Sequence, residues 1–244
     1  MIAESSGFKF VIADTDELKQ ATYRLRYQVY VREYGFEKPE DHPGGLEMDE
    51  YEAHSIHLAA LDNADQVVGT IRMVLSSEKG FPIEHAAKLE YVGEKPPPER
   101  TAEISRLAVS KAYRRRREDD MFGVESYLTE SDGGILPDGS EPSSERERRK
   151  RPMIVLGLCR LMYHMSKRLG ISHWYMITEK KLWFALKRYG FVFHQIGKPV
   201  EYHGTRIPYL AAVEEVERHL TAMSPDFFKL ILLGLDEKYH PSGE

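Results

Sequence analysis

The sequence contains a single cysteine, Cys159. One thiol excludes a disulfide framework within the chain and a zinc site of four thiolates, and it is typical of proteins in a reducing compartment. No stretch reaches the roughly 18 apolar residues that a membrane span needs. The N-terminus has Glu4 and no long apolar run, so it does not read as a secretory signal. We therefore expect a cytoplasmic protein without a transmembrane segment.

The chain also lacks an excess of positive charge, since its formal net charge is −5 and its pI is about 6.1. General nucleic-acid binding needs a basic surface, so we expect no nucleic-acid partner. With 244 residues, of which 41% are hydrophobic, the chain can bury a substantial core. We predict a single domain over residues 1–244, with a C-terminal helical appendage at residues 214–235.

Hydrophobic periodicity and turn residues predict an α/β pattern with a mixed sheet and no internal repeat. The expected strands are 8–13, 55–61, 67–75, 102–109, 172–178, 191–196 and 207–213. The expected helices are 16–33, 152–169, 180–189 and 214–233. Prolines and glycines make 37–47 a loop, and the polar turn at 62–65 makes the second and third strands a hairpin.

The composition changes abruptly at residues 118–151, where 15 of 34 residues are charged and 11 are glycine, proline or serine. Such a segment has too little apolar surface to offset the entropy lost on ordering. We expect it to be a flexible polar insertion. Ten of its residues are acidic, so it could cover a neighbouring basic cluster.

The strand at 102–109 carries Glu103 and Ser105, and four arginines follow it at Arg114–Arg117. Backbone N–H groups and arginines after a central strand offer an anion site for a phosphorylated acyl carrier. The alternative is that the arginines are a solvated turn beside an acidic insertion. This arrangement makes acyl transfer the leading hypothesis.

Glu103 is the candidate general base, because an amine that is protonated at neutral pH must lose a proton before it attacks a thioester. The alternative is a solvated carboxylate at a strand edge. In a regular strand Glu103 and Ser105 face one side while Ile104 and Arg106 face the other. Arg106 is therefore given a positioning role unless a bulge intervenes.

No metal site is expected. His54 and His57 lie three residues apart at the start of a strand, so they face opposite sides, and no other ligand motif accompanies them. Cys159 lies in an apolar helix beside Leu158 and Leu161, which favours a buried thiol over an acyl-cysteine nucleophile.

Six motifs in order resemble those of acyl-homoserine-lactone synthases, a family with the N-acetyltransferase-like (GNAT) fold. They are Leu25-Arg26-Tyr27-Gln28-Val29-Tyr30, Gly35-Phe36, Glu47-Met48-Asp49-Glu50-Tyr51, Gly69-Thr70-Ile71-Arg72-Met73, Phe81-Pro82 and Glu103-Ile104-Ser105-Arg106.

The chain is more similar still to the N-acyl amino acid synthase branch, which includes acyltransferases associated with PEP-CTERM exosortase systems. The segments carrying this closer resemblance are His54-Ser55-Ile56-His57, Gly170-Ile171-Ser172-His173-Trp174-Tyr175 and Tyr202-His203-Gly204-Thr205-Arg206. The resemblance covers roughly residues 20–213. Phe36 replaces a tryptophan of the lactone synthases, and the insertion replaces a glycine-rich phosphate loop.

The resemblance implies a GNAT-like N-acyltransferase that moves a fatty acyl group, expected to be long, from an acyl carrier protein thioester to the amine of an amino acid or similar acceptor. Acyl-CoA is the alternative donor, and no permanently bound cofactor is implied. Two other functions stay open, namely acyl-homoserine-lactone synthesis and the binding of an acyl ligand without turnover.

The resemblance also assigns roles to residues, with Glu103 as the catalytic residue. The residues expected to bind substrate are Arg26, Tyr30, Phe36, Asp49, Arg72, Phe81, Ser105 and Arg106. Tyr30, Phe36 and Phe81 could line an acyl pocket or a pocket for an aromatic acceptor, and the alternative is that they are ordinary core. The residues implied at the acyl-donor site are Val109, Arg114, Arg115, Arg116 and Arg117. The resemblance further implies that Arg26 and Arg72 pair with the loop carboxylates Asp49 and Glu47 and shape the acceptor site. A buried structural ion pair between Arg26 and Asp49 is the alternative to direct contact with substrate.

Overall fold

The computed structural model describes residues 3–5, 7–113, 128–131, 134–137, 150–202 and 204–241. The chain divides into two compact units. The first comprises Met1–Val74, Ser105–Tyr127 and Gly139–Met162, and the second comprises Leu75–Ile104, Leu128–Asp138 and Tyr163–Glu244. Each unit is described by itself below.

The described strands and helices are numbered here in chain order. The strands are β1 (Ala3–Ser5), β2 (Phe8–Ile12), β3 (Ser55–Leu61), β4 (Val67–Leu75), β5 (Thr101–Val109), β6 (Leu128–Ser131), β7 (Gly134–Pro137), β8 (His173–Thr178), β9 (His194–Gln195), β10 (Val200–Glu201) and β11 (Thr205–Ala212). The α-helices are α1 (Asp16–Arg26), α2 (Pro82–Ala86), α3 (Lys150–Leu169), α4 (Lys180–Arg188), α5 (Val213–Met223) and α6 (Pro225–Leu232).

Antiparallel pairing organises the first unit. Strand β1 pairs with β2, β2 with β3, and β3 with β4, and the predicted hairpin of β3 and β4 is present. The backbone N–H of Ser110 donates to the Val68 carbonyl at 2.8 Å, which ties the end of β5 to β4 within this unit. Helix α3 packs closely here: a Cβ added at Gly157 would lie 2.0 Å from the Phe10 ring. Glycine is therefore required where this helix crosses β2.

The helix predicted over residues 16–33 is helical throughout but changes type midway. The Thr15 side chain caps α1 by accepting the Leu18 N–H, as its sequence position suggests. Residues Tyr27–Glu33 then form a π-helix, and the Tyr34 N–H donates back to the Val29 carbonyl. A π-helical segment is rare and is often found at functional sites.

The second unit contains the mixed sheet. The first residues of β5 pair in parallel with β8, in the register Thr101–His173, Ala102–Trp174 and Glu103–Tyr175. Strand β8 then pairs antiparallel with β11, which also pairs with β9 and β10. The α/β class with a mixed sheet is thus as predicted.

Two predicted elements of the second unit are wrong in extent. The terminal helix expected over 214–233 is interrupted at Ser224, and Pro225 begins a separate helix, because proline suits a first helical turn but not a helix interior. The strand expected over 191–196 is reduced to His194–Gln195. Helix α2 follows Phe81 and was not predicted.

Within the predicted insertion the structure describes two short strands, β6 and β7, which pair as an antiparallel hairpin, and the start of α3. The remaining residues of 118–151 lie outside the described part of the chain. The flexibility of the insertion therefore stays a prediction. In the described part of the chain, no helix is long and apolar enough to cross a membrane.

Candidate active site

Three arginines and three acids of the first unit form a buried ionic network, here called the acid–arginine cluster. Its members come from α1, β4, β5 and the loop before β3. They are Arg26, Arg72 and Arg106 with Glu47, Asp49 and Glu52. The three positive and three negative charges balance, which is the usual condition for holding so many ions away from water.

Arg26 lies at the end of α1, and its side chain is fully buried. Its Nε donates to Glu47 Oε2, and its Nη2 donates to Glu52 Oε1 at 2.7 Å. Burial alone would lower the pKa of Arg26, but the two carboxylates outweigh it and raise that pKa. The alternative expectation of an Arg26–Asp49 pair is therefore wrong, because Glu47 and Glu52 occupy that guanidinium.

Arg72 on β4 connects the acids to β5. Its Nη1 donates to Asp49 Oδ1 at 2.7 Å and to Glu52 Oε1 at 2.9 Å, and its Nε donates to Ser105 Oγ at 3.1 Å. Arg72 Nη2 is buried without a hydrogen-bond partner among the described residues. The cluster thus has spare donor capacity for a water molecule or an anion.

Arg106 departs from regular strand geometry, with φ of 54° in the left-handed region. Its Nε donates to Glu47 Oε1 at 3.0 Å, and its Nη2 donates to Asp49 Oδ2 at 3.2 Å. Non-glycine residues in this region cost on the order of 1–3 kcal/mol and persist where their surroundings hold them. The usual alternation of side chains between the two faces of a strand fails at Arg106, so Ser105 and Arg106 both contact the cluster although they are adjacent in sequence. Strand β5 thus has a backbone irregularity of the kind that a shared face requires.

The cluster fixes the ionisation of its acids. Burial would raise the pKa of Glu47, but Arg106 and then Arg26 outweigh it and lower the pKa to about 2. For Glu52, burial is likewise opposed by the contact with His57 and by Arg26, and the pKa lies well below its usual range. Both carboxylates therefore stay ionised at neutral pH and are poor proton acceptors.

Glu52 and His57 are members of this region that sequence reasoning missed. The buried His57 Nε2 lies 2.9 Å from Glu52 Oε2, and its ring meets Tyr23 edge to face at 5.1 Å. The spacing of Glu47, Asp49 and Glu52 in one loop was the available signal. Among the described residues, no group of three or more His, Cys, Asp or Glu side chains is arranged to hold a metal ion.

Aromatic side chains of the π-helix flank Arg106. Tyr30 donates its hydroxyl to the Leu107 carbonyl at 2.8 Å, and the Arg106 guanidinium lies 5.8 Å from its ring centroid. Burial raises the pKa of Tyr30 to about 12, so the hydroxyl remains a donor. The Phe36 ring lies 6.3 Å from Tyr30 and stacks on Tyr34 at 5.3 Å. Tyr30 and Phe36 are thus brought to the cluster as one aromatic group.

Glu103 belongs to the second unit, where it is only 1% exposed. Its Oε2 accepts the backbone N–H of Ile83 in the first turn of α2 at 2.8 Å. Phe81, directly before that helix, packs edge to face on Tyr175 at 5.4 Å. The alternative of a solvated carboxylate at a strand edge is therefore wrong, since the side chain is buried beside a short helix and aromatic rings.

The remaining predicted residues are the acyl-donor set and Cys159. Val109 ends β5 and is buried. The basic residues Arg114–Arg117 lie outside the described residues, so their donor-binding role stays a prediction. Cys159 is buried, and burial raises the pKa of its thiol to about 12, which leaves it unreactive as a nucleophile.

Comparisons with known proteins agree with this architecture. Residues 25–123 match the acetyltransferase (GNAT) domain family. No curated protein matches the chain in sequence.

Solved structures of similar fold cover most of the chain. The AHL synthase LasI has a TM-score of 0.56 at 16% identity, covering 86% of this chain and 91% of its own. BjaI, a CoA-dependent acyl-homoserine lactone synthase solved with SAM and isopentyl-CoA, has a TM-score of 0.55 at 18% identity, covering 87% of both chains. FeeM, an N-acyl amino acid synthase from uncultured soil microbes, has a TM-score of 0.52 at 12% identity, covering 87% of this chain and 94% of its own.

At these identities the likeness shows the fold alone, which confirms the predicted GNAT-like architecture. The family match adds a sequence relation over the segment that carries the acid–arginine cluster and Glu103. The protein therefore has the GNAT-like fold, and its residues 25–123 are similar in sequence to the acetyltransferase (GNAT) domain family.

Proposed function

We propose that this protein is an N-acyltransferase that moves a long fatty acyl group from a carrier thioester to the amine of an amino acid or similar small acceptor. The observation that carries the proposal is the buried Glu103 on β5 of a GNAT-like fold. A buried carboxylate can be tuned toward neutral pH, which suits a general base.

The proposed transfer is direct. The acceptor's ammonium gives a proton to Glu103, the free amine attacks the thioester carbon, and the carrier leaves as a thiol after taking up a proton. This route needs no covalent enzyme intermediate. The burial of Cys159 and the raised pKa of its thiol support that choice.

We place the acceptor at the exposed side of the acid–arginine cluster. The side chains of Arg106 and Asp49 are 15% and 19% exposed, so they are the members that a small molecule can reach. Arg26 and Arg72 are buried. Arg26 pairs with Glu47 and Glu52, and Arg72 pairs with Asp49 and Glu52. Tyr30 and Phe36 offer apolar surface beside Arg106.

We assign the acyl donor to Val109 and the four arginines Arg114–Arg117. An acyl carrier protein is the proposed donor because its phosphopantetheine and acidic surface suit a basic cluster; the BjaI structure holds isopentyl-CoA, which makes acyl-CoA the alternative. Replacing Arg115 and Arg116 with glutamate should raise the Michaelis constant for acyl carrier protein steeply, since opposite charges would become like charges. An unchanged constant would make the cluster a solvated turn.

Turnover with defined substrates tests the function. The purified protein is incubated with long-chain acyl carrier protein or acyl-CoA and with single amino acids or SAM, and products are measured by mass spectrometry. We expect N-acyl amino acids, and Glu103→Gln should lose on the order of 10²-fold or more of the rate. The matched control is Glu217→Gln, another buried glutamate of the second unit, which contacts Tyr163 and Lys167.

The alternatives give different results in the same assay. An acyl-homoserine lactone formed only with SAM would assign the lactone synthase function instead. Acyl ligand that stays bound without any product would indicate a binding module. A folded Glu103→Gln protein with the wild-type rate would remove Glu103 from the mechanism.

A further inference from the structure

A base buried as deeply as Glu103 raises the question of where its proton goes. Each proposed turnover leaves one proton on a carboxylate that is only 1% exposed. The proton has to leave before the next acceptor can be deprotonated. An exit through hydrogen-bonding side chains is therefore part of the chemistry that a buried base requires.

The sheet register places a tyrosine side chain on the same face of the sheet as this carboxylate. Glu103 and Tyr175 are direct partners in the parallel pairing of β5 and β8. Registered residues on neighbouring strands lie about 4.8 Å apart, with their side chains on the same face. Tyr175 is fully buried, so its hydroxyl is held within the second unit.

Helix α2 fixes the two side chains in one place. Ile83 in its first turn donates its N–H to Glu103 at 2.8 Å. Phe81, two residues earlier, packs against the Tyr175 ring at 5.4 Å. The carboxylate and the tyrosine are thus held by the same short segment as well as by the sheet.

A second tyrosine extends this group toward solvent. The hydroxyls of Tyr175 and Tyr91 lie 2.7 Å apart, and either can donate to the other. Tyr91 is partly exposed, and the next four residues, 92–95, are exposed. The pair therefore leads from the buried face of the sheet to the surface.

We propose that Tyr175 and Tyr91 form a proton relay that deprotonates Glu103 after each acyl transfer, an inference that rests on the proposed function. The protonated Glu103 gives its proton to the Tyr175 oxygen through one bridging water. In the same step Tyr175 gives its own proton to Tyr91, and Tyr91 gives one to solvent. One proton leaves, and both tyrosines end neutral. Both act through Glu103 and are positioning residues.

The electrostatic setting supports this role. Burial raises the pKa of Tyr175, and the hydrogen bond with Tyr91 and the charges of Glu84 and Glu103 raise it further. The hydroxyl therefore keeps its proton and can only pass one on as it receives another. Glu84 itself is occupied by Lys95 at 2.6 Å and by the Phe81 N–H at 2.9 Å.

The kinetic test uses Tyr175→Phe and Tyr91→Phe, which remove one hydroxyl each and keep the ring. We expect kcat to fall on the order of 10-fold, with the Michaelis constant for the acceptor unchanged and the solvent deuterium isotope effect on kcat increased. Tyr209→Phe is the matched control, because Tyr209 is a buried tyrosine on a neighbouring strand of the same unit. Wild-type kcat and isotope effect in both variants would overturn the relay.

A second variant and a second measurement distinguish failure of the relay from misfolding and from failure of the proposed function. If Tyr175→Phe does not fold, Tyr91→Phe decides the kinetic test, because that position is partly exposed. An activity-free measurement follows the ring-carbon NMR signal of Tyr175, assigned by its loss in Tyr175→Phe, as pH is varied. The signal should follow a titration that disappears in Glu103→Gln. A signal unaffected by Glu103 would overturn the relay, whereas an inactive wild-type protein that shows the titration would refute the proposed function alone.

Discussion

The acid–arginine cluster of the first unit and Glu103 of the second both bury carboxylates, but they surround them differently. Glu47 is held by the guanidinium groups of Arg26 and Arg106, which lower its pKa to about 2. Glu103 accepts the backbone N–H of Ile83, and its registered neighbour on β8 is Tyr175, whose ring packs on Phe81. Two acids of the cluster, Glu47 and Glu52, are thus held ionised and are poor proton acceptors.

This difference separates two uses of a buried acid. A general base works best when its pKa is near the operating pH, and close guanidinium partners move a carboxylate far from that range. The cluster acids are therefore suited to holding Arg72, Arg106 and the left-handed turn of β5. Glu103, which accepts a backbone N–H, is the carboxylate that we propose as the general base.

The largest expected effect comes from removing a cation of the cluster. Arg26→Ala leaves Glu47 and Glu52 without a shared partner, and breaking a buried pair costs about 3–5 kcal/mol of unfolding free energy. Denaturant unfolding measures it. The control is Lys9→Ala, which removes the exposed Lys9–Asp65 pair and should cost about 0–1 kcal/mol. Equal losses in the two variants would remove the distinction between buried and exposed pairs.

The second-largest loss of stability should come from lowering the pH, which protonates the acids of the cluster. The pKa of Glu47 is lowered in the folded state, so its stabilisation is complete above the unfolded value near 4.5 and is lost as pH falls toward about 2. We expect a loss on the order of 1–2 kcal/mol between about pH 5 and pH 3 from this group. Thermal unfolding across that window measures it. Glu47→Gln should flatten the pH dependence, and an unchanged slope would contradict the assignment.

A smaller effect should come from the backbone at Arg106. Both Arg106→Gly and Arg106→Ala remove the guanidinium, but only glycine adopts positive φ without a steric cost. We expect the glycine variant to be more stable by about 1 kcal/mol, the reverse of the order at an ordinary strand position. The same comparison at Ala108, a regular position of β5, is the control. A more stable alanine variant at position 106 would show that the turn relaxes.

The smallest effect on stability is expected at Glu103. The amide of Glu103→Gln can still accept the Ile83 N–H, and the substitution removes a charge from a buried site, so unfolding free energy should change by about 1 kcal/mol or less. Chemical unfolding alongside the turnover assay measures it. A loss as large as that of Arg26→Ala would make Glu103 a structural acid like those of the cluster.

Much of the fold could be predicted because local signals agreed with it. The first helix, the hairpin of β3 and β4 and the strand around Glu103 all follow from hydrophobic spacing and turn residues. The broken C-terminal helix was missed because apolar periodicity continues across Ser224 and outweighed Pro225. The π-helix was missed because its hydrophobic spacing over seven residues is hard to distinguish from that of an α-helix.

The site was predicted in part, since the resemblance implied that Arg26 and Arg72 pair with the loop acids Asp49 and Glu47, and Arg26–Glu47 and Arg72–Asp49 pairs are present. The contacts of Glu52 were missed, because they depend on loop geometry that the sequence does not encode locally. The turn at Arg106 had no sequence signal, since arginine is not a residue that favours positive φ. Its contacts in three dimensions impose that conformation.

The π-helix also determines which one-residue deletions the chain can accept. Each hydrogen bond of a π-helix spans one more residue than that of an α-helix. Deletion of one residue within Tyr27–Glu33 therefore lets the segment become α-helical with its hydrogen bonds intact. Residues on either side would then be rotated by about 100° relative to one another. Arg26 and Phe36 could not both keep their present neighbours. We therefore expect such a deletion to impair function, and to cost stability where it displaces Arg26, and natural relatives with the same site should keep the length of this segment.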